Sequence, residues 1–342
     1  MALSRRDLLL ATPALTAAVS CAPVTRNQRA PSSYVELAAV RPSSNRGTVV
    51  VCMPNTSQTR EVWAALSDEL GRELELVAVQ VEGENATAHI AEAVTRHRPT
   101  ALVLMNNPTL TAYGQYQRQQ PPRAHARPGI AVMASFLDER PHHLRDVTGI
   151  SYEVPLITVI TNLRKLIQSP IERIGVVRRN ALSRFVGRQS ALARREKIRV
   201  IEAEVGANPN PSELKRALRN LKQRCDAIWV LNDDHLLSQT LIAGGWLPGL
   251  NERPWVPVIV GAQSLVSPAN SFGTFAMLPD HTALGVQAAN LVFDIANEDW
   301  SLPAGDDVEL PLSTLTVVDL AQARERFSLR EDALTQVDRI LE

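Results

Sequence analysis

Two adjacent carboxylates, Asp233 and Asp234, follow the apolar run Ala227 to Leu231, and side by side they have the composition of an acid/base pair. Their place points elsewhere, because open α/β sheets gather ligand-contacting residues beyond the carboxyl ends of their strands. His142 and His143 have the make-up of a metal pair. Pro141 and Arg145 mark that stretch as a loop, however, and a solvated histidine pair accounts for it. The chain has no Gly-x-Ser-x-Gly elbow, no phosphate-cradling glycine loop and no His-Glu-x-x-His motif. The expectation is therefore a binding protein and not an enzyme, with no cofactor and no metal.

The residues just after each buried strand supply a candidate pocket. From the first half these are Asn55, Thr56, Asn106, Asn107, Ser135 and Phe136; from the second, Arg178, Asn180, Asn232, Asp233, Gln263 and Ser264; Tyr152 sits at the junction. Together they offer what a zwitterion needs: Asp233 for an ammonium, Arg178 or Ser135 for a carboxylate, and Phe136 or Tyr152 for an apolar side chain. Each also has an ordinary use as a turn or cap residue, since Asn, Ser and Asp are common there.

The elements that position these residues are read from hydrophobic periodicity. Apolar runs near Thr48, Glu75, Ala101 and Gly129, separated for the most part by helix-patterned stretches, predict a parallel sheet covered on both faces. A second series follows near Arg173, Ile198, Ala227 and Val256. Between the two lies Asp146 to Asn180. It holds a short strand near Thr148 to Tyr152, then Pro155, then an amphipathic helix, Leu156 to Ile167, which Pro170 ends. That segment reads as a hinge. The fold class expected is α/β, with two Rossmann-like lobes of parallel sheet joined by a hinge; one large doubly wound sheet is the alternative. Residues 47–152 form the first lobe with 310–342 returning to it, and 153–309 form the second. Leu315 to Leu320 is expected as the returning strand.

The order of these segments resembles a known family. "TGIS", an amphipathic helix, a proline and "RIGVV", then "DAIWVLND" and the closing LTVVDLAQARERFSLREDALTQVDRILE, resemble the ABC-transporter substrate-binding proteins whose known ligands include aromatic amino acids. The likeness spans about residues 45 to 342. It implies the bilobed periplasmic-binding type I fold, a small-molecule solute, most naturally an amino acid, and a membrane permease as partner. An envelope lipoprotein of this fold that senses, or regulates an enzyme, is the second reading.

The bulk properties agree with a small-molecule binder. Lys+Arg and Asp+Glu both number 36 in 342 residues, so net charge gives no reason to expect nucleic acid. The basic run Arg178 to Arg199 has an inward stripe of Leu182, Phe185, Val186 and Leu192, which leaves its arginines as a solvated face. Trp246, Leu247 and Trp255 are read in the loop GGWLPGLNERPW, as cover for the core, with a transporter-docking rim as the alternative. Cys52 and Cys225 read as buried free thiols. At the N-terminus, Arg5 and Arg6, the apolar run Leu8 to Val19 and small residues before Cys21 have the layout of a signal peptide over residues 1–20. Ser4 to Leu10 resembles a twin-arginine export signal and Ala18 to Cys21 a lipoprotein processing site, which implies cleavage before Cys21, lipidation of its thiol and anchoring to a membrane facing the periplasm or cell exterior. A plain secretory signal is the alternative. Residues 21–46, rich in Pro, Ser, Asn and Arg, are expected to be a flexible tether of about 80 Å at most.

Overall fold

The computed structural model describes residues 34–121, 127–139, 144–266, 272–302 and 308–342. The signal segment and Cys21, like the His142–His143 pair, lie outside them. In order come β1 (Glu36–Val40), β2 (Thr48–Met53), α1 (Ser57–Leu70), β3 (Glu75–Gln80), α2 (Ala86–His97), β4 (Ala101–Met105), α3 (Asn107–Gln119), β5 (Gly129–Ala134) and β6 (Val147–Ser151). Next are α4 (Leu156–Leu166), β7 (Arg173–Arg179), α5 (Ser183–Arg194), β8 (Arg199–Val205), α6 (Pro211–Lys222) and β9 (Ala227–Trp229). A short α7 (Gln239–Leu241) runs through a π-helical turn, Ile242–Trp246, into α8 (Leu247–Asn251). The chain closes with β10 (Val258–Val260), β11 (Phe275–Pro279), α9 (His281–Asn297), β12 (Val308–Glu309), β13 (Thr314–Asp319), α10 (Leu320–Arg326) and β14 (Arg339–Leu341).

Among the described residues two seven-stranded sheets result, one per lobe. The first runs β1-β3-β2-β4-β5-β6-β12 and the second β14-β13-β11-β10-β9-β7-β8. Both are parallel except where β1 meets β3 and β13 meets β11. Side chains alternate across each strand, so every apolar run feeds two cores. Val49, Val51 and Met53 of β2 pack under α1 and α9, whereas Val50 and Cys52 face α2 and α3. Local chemistry sets the helix starts. Thr56, Asn106, Asn210, Asp280 and Asp319 each accept a bond from an amide of the first turn, which satisfies donors that have no partner inside the helix. Cys52 and Cys225 are buried and free. No helix among the described residues is long and apolar enough to cross a membrane.

Three expectations are corrected. Residues 36–40 are not tether: Glu36–Val40 pairs antiparallel with β3 as the edge of the first sheet. Its half-buried pattern carries no apolar run that would reveal it. The closing segment does not return to the first lobe, because β13 pairs with β11 and β14 with β13 in the second sheet. Conversely α9 and β12 belong to the first lobe. Leu284, Ala288, Leu291 and Ile295 of α9 pack on the first core, and β12 extends β6. Gly285 permits that docking, since a Cβ there would stand 2.5 Å from the Val62 carbonyl of α1. The chain therefore passes between the lobes three times, at residues 152–155, at Asp280 and at 310–313. Lastly, Trp246 lies in helical turns instead of a loop, fully buried with its indole N–H donating to the Leu236 carbonyl.

Candidate functional site

A cleft of about 650 Å³ opens between the lobes. The first lobe lines it with Glu84 and Thr87 at the start of α2, with Asn107 and Thr111 of α3, and with Ser135, Phe136 and Glu139 after β5. The second supplies Arg179 at the end of β7, Leu182, and Asn232 to His235 after β9. These are strand ends and helix starts, where exposed amides and short polar side chains collect.

Behind Phe136 and Asn232, which line both spaces, is a chamber of about 20 Å³. Tyr152, Glu153 and Val154 of the first crossing, Trp229, Gly261 and Met277 enclose it. Phe136 reaches across from the first lobe and meets Phe185 edge-on, ring centroids 4.9 Å apart. Its backbone takes the left-handed region, φ 54°, which is uncommon for an aromatic residue. Gly261 makes room for Asn232, because a Cβ there would lie 2.4 Å from the Asn232 amide nitrogen.

The electrostatics are dominated by engaged charges. Arg179 holds Asp233 with two parallel bonds, 2.7 and 2.8 Å, and Asp233 also accepts from the His235 amide. Glu139 is gripped from the opposite lobe by Arg184 and Arg188, and Asn107 donates to Asp234 across the cleft at 3.4 Å. Glu153 is buried with no cation beside it among the described residues. It is 8% exposed, and its Oε2 accepts from the Phe136 amide at 2.8 Å and the Ser151 hydroxyl at 3.3 Å, while Oε1 has no hydrogen-bond partner among the described residues. Burial pushes this carboxyl up to about 7, against the downward pull of the Phe136 amide and the Ser135 and Ser151 side chains. Tyr152 is raised as well, mainly by burial, and its hydroxyl bonds His281 Nε2 at 3.0 Å, tying the first crossing to the second.

Of the residues expected at the site, Asn107, Ser135, Phe136, Asn232 and Asp233 line the cleft and Tyr152 lines the chamber. The remainder lie elsewhere. Thr56 and Asn106 cap α1 and α3, and Asn55 and Asn180 are exposed beside helical turns. Arg178 points to Glu202 and Glu204 of β8, and Gln263 accepts from Arg339, next to an exposed Ser264. The zwitterion assignment is altered accordingly, with Asp233 and Arg178 both paired inside the protein. Sequence reasoning missed Arg179, Glu84, Glu139, Glu153 and Gly261. For Arg179 the usable signal was strand alternation: it lies two residues beyond Val177, one place past the arginine chosen.

No protein-family model matches the chain, and no curated protein sequence matches it. Solved structures do. The ABC domain in complex with L-Trp from Streptococcus pneumonia is 16% identical with a TM-score of 0.56, over 86% of this chain and all of that one. A conserved domain protein from Vibrio cholerae is 20% identical, TM-score 0.57, over 86% and 98%. The ligand-free, open structure of CD0873, a substrate binding protein with adhesive properties from Clostridium difficile, is 12% identical, TM-score 0.61, over 86% and 98%. The fold is the bilobed type I periplasmic-binding fold. At these identities the likeness is one of fold, and the cleft between the lobes follows from it.

Proposed function

We propose that this chain captures a small organic solute between its lobes and presents the closed form to an ABC-type permease, as an exported lipoprotein anchored through Cys21. The observation that carries this reading is the cleft itself, lined from both lobes by polar strand-end residues with a buried chamber at its back. A ligand touching both walls favours closure by its differential affinity for the closed state, and contacts such as Arg184 with Glu139 reinforce it. Of the groups expected to hold an amino acid, Asp233 and Arg178 are engaged within the protein, which leaves Ser135 in the cleft as the expected carboxylate contact.

Native mass spectrometry of protein purified without denaturation, followed by calorimetry against amino acids, amines, sugars and carboxylates, tests the reading. A stoichiometric ligand and a smaller radius of gyration on binding are expected. A cleft that takes none of them, together with an envelope protein co-purifying in fixed ratio, would replace it by the sensor or regulator alternative.

A further inference from the structure

The cleft has committed its positive charge and kept part of its negative charge in hand. Arg179 is bidentate with Asp233, Arg184 and Arg188 serve Asp138 and Glu139, and Arg178 faces Glu202 and Glu204. A ligand carboxylate would find none of these guanidiniums without a carboxylate partner. Among the described residues, by contrast, Glu84 makes no ion pair and Asp234 has only the long amide contact from Asn107. Deepest of all is Glu153, more than nine-tenths buried, with one oxygen unpartnered among the described residues and a place in the wall of the inner chamber.

Size narrows the occupant. A space of about 20 Å³ suits one water-sized group. An –NH₃⁺ head has that size, and three donors for the Glu153 carboxylate and the Asn232 amide that line it. The mouth between Phe136 and Asn232 is made by one residue of each lobe, so separation of the lobes opens it. Folding has already taken the carboxylate out of water, which lowers what an incoming cation must supply to pair with it.

Resting on the solute-binding reading above, we propose that this chamber is a headgroup site for a primary ammonium, held by Glu153 beside the Asn232 amide, the rest of the ligand lying in the outer cleft. An α-amino acid suits it poorly. Its carboxylate sits on the carbon that bears the nitrogen and would be carried towards Glu153, and the cleft arginines among the described residues are already paired and do not offset it. The ligand class is therefore a primary amine lacking that carboxylate.

Matched pairs test this on the wild-type protein: agmatine against arginine, tryptamine against tryptophan and putrescine against ornithine, by calorimetry, with neutral sugars and carboxylates alongside. At least one amine is expected to bind at least about tenfold more tightly than its parent amino acid, the scale of one charge-assisted hydrogen bond. Glu153→Gln is expected to remove that preference. Tighter binding of the parent amino acids, or of sugars or carboxylates alone, would overturn the headgroup assignment and leave solute capture standing. Failure of the whole panel to bind would overturn both. The wild-type comparison decides even if the variant does not fold.

Discussion

Replacing Glu153 by glutamine should change how stability depends on pH. Burial raises this carboxyl from 4.5 to about 7, so the folded chain holds its proton more tightly than the unfolded chain does. The sign follows directly. Its contribution to stability is fully present below pH 4.5, declines as the pH climbs, and is lost above about pH 7. At ~1.4 kcal/mol per pH unit the decline totals about 3 kcal/mol. Glutamine keeps an oxygen for the Phe136 amide and the Ser151 hydroxyl and has nearly the same shape, so the substitution removes the titration and little else. Urea unfolding of both proteins from pH 4.5 to 8.5 isolates the effect, because all other titrating groups are common to the pair. The variant should gain on the wild type by about 3 kcal/mol across that range, with most of the gain complete by pH 7.5. Parallel curves would refute the reasoning, since they would mean that the carboxyl is solvated and the chamber open to water.

Three further outcomes are expected. Gly261→Ala should push Asn232 out of the chamber wall and abolish ligand binding measured by calorimetry, at a cost of about 1–3 kcal/mol in urea unfolding from overpacking. Arg179→Ala leaves the Asp233 carboxylate, 3% exposed, without its partner and should destabilise the fold by about 3 kcal/mol; adding Asp233→Asn should recover part of that loss. Substituting both Arg184 and Arg188 by alanine removes the grip on Asp138 and Glu139, and scattering should show a larger ligand-free radius of gyration, a difference that high salt diminishes in advance by weakening the wild-type pairs.

The strands were legible where an unbroken apolar run occurs, as in ALVLM and the IGVV of β7, because a strand covered on both faces has that composition. Glu36–Val40 was not, since a half-buried edge strand can carry glutamate and alanine and still pair. The lobe to which α9 and β13 belong is also invisible locally. Either element is satisfied by any apolar face, and the choice is made by which core lacks cover. In the site, amide and hydroxyl residues after strands were readable by position alone. Arg178 and Arg179 show the limit: one residue moves a side chain from one face of the sheet to the other, so an error of one place exchanges an outward pair with Glu202 for an inward pair with Asp233. Glu153 gave no signal, because a glutamate beyond a strand reads as solvated and only tertiary packing buries it.

The triple passage between lobes means that neither half is a continuous length of polypeptide. A fragment ending at Tyr152 would lack α9, leaving Leu66, Val103 and Ile130 without the helix that shields them, and such a piece should precipitate instead of folding. Nor would a protease that severs one strap release two bodies, because the other two straps and the Tyr152–His281 bond would still hold them together.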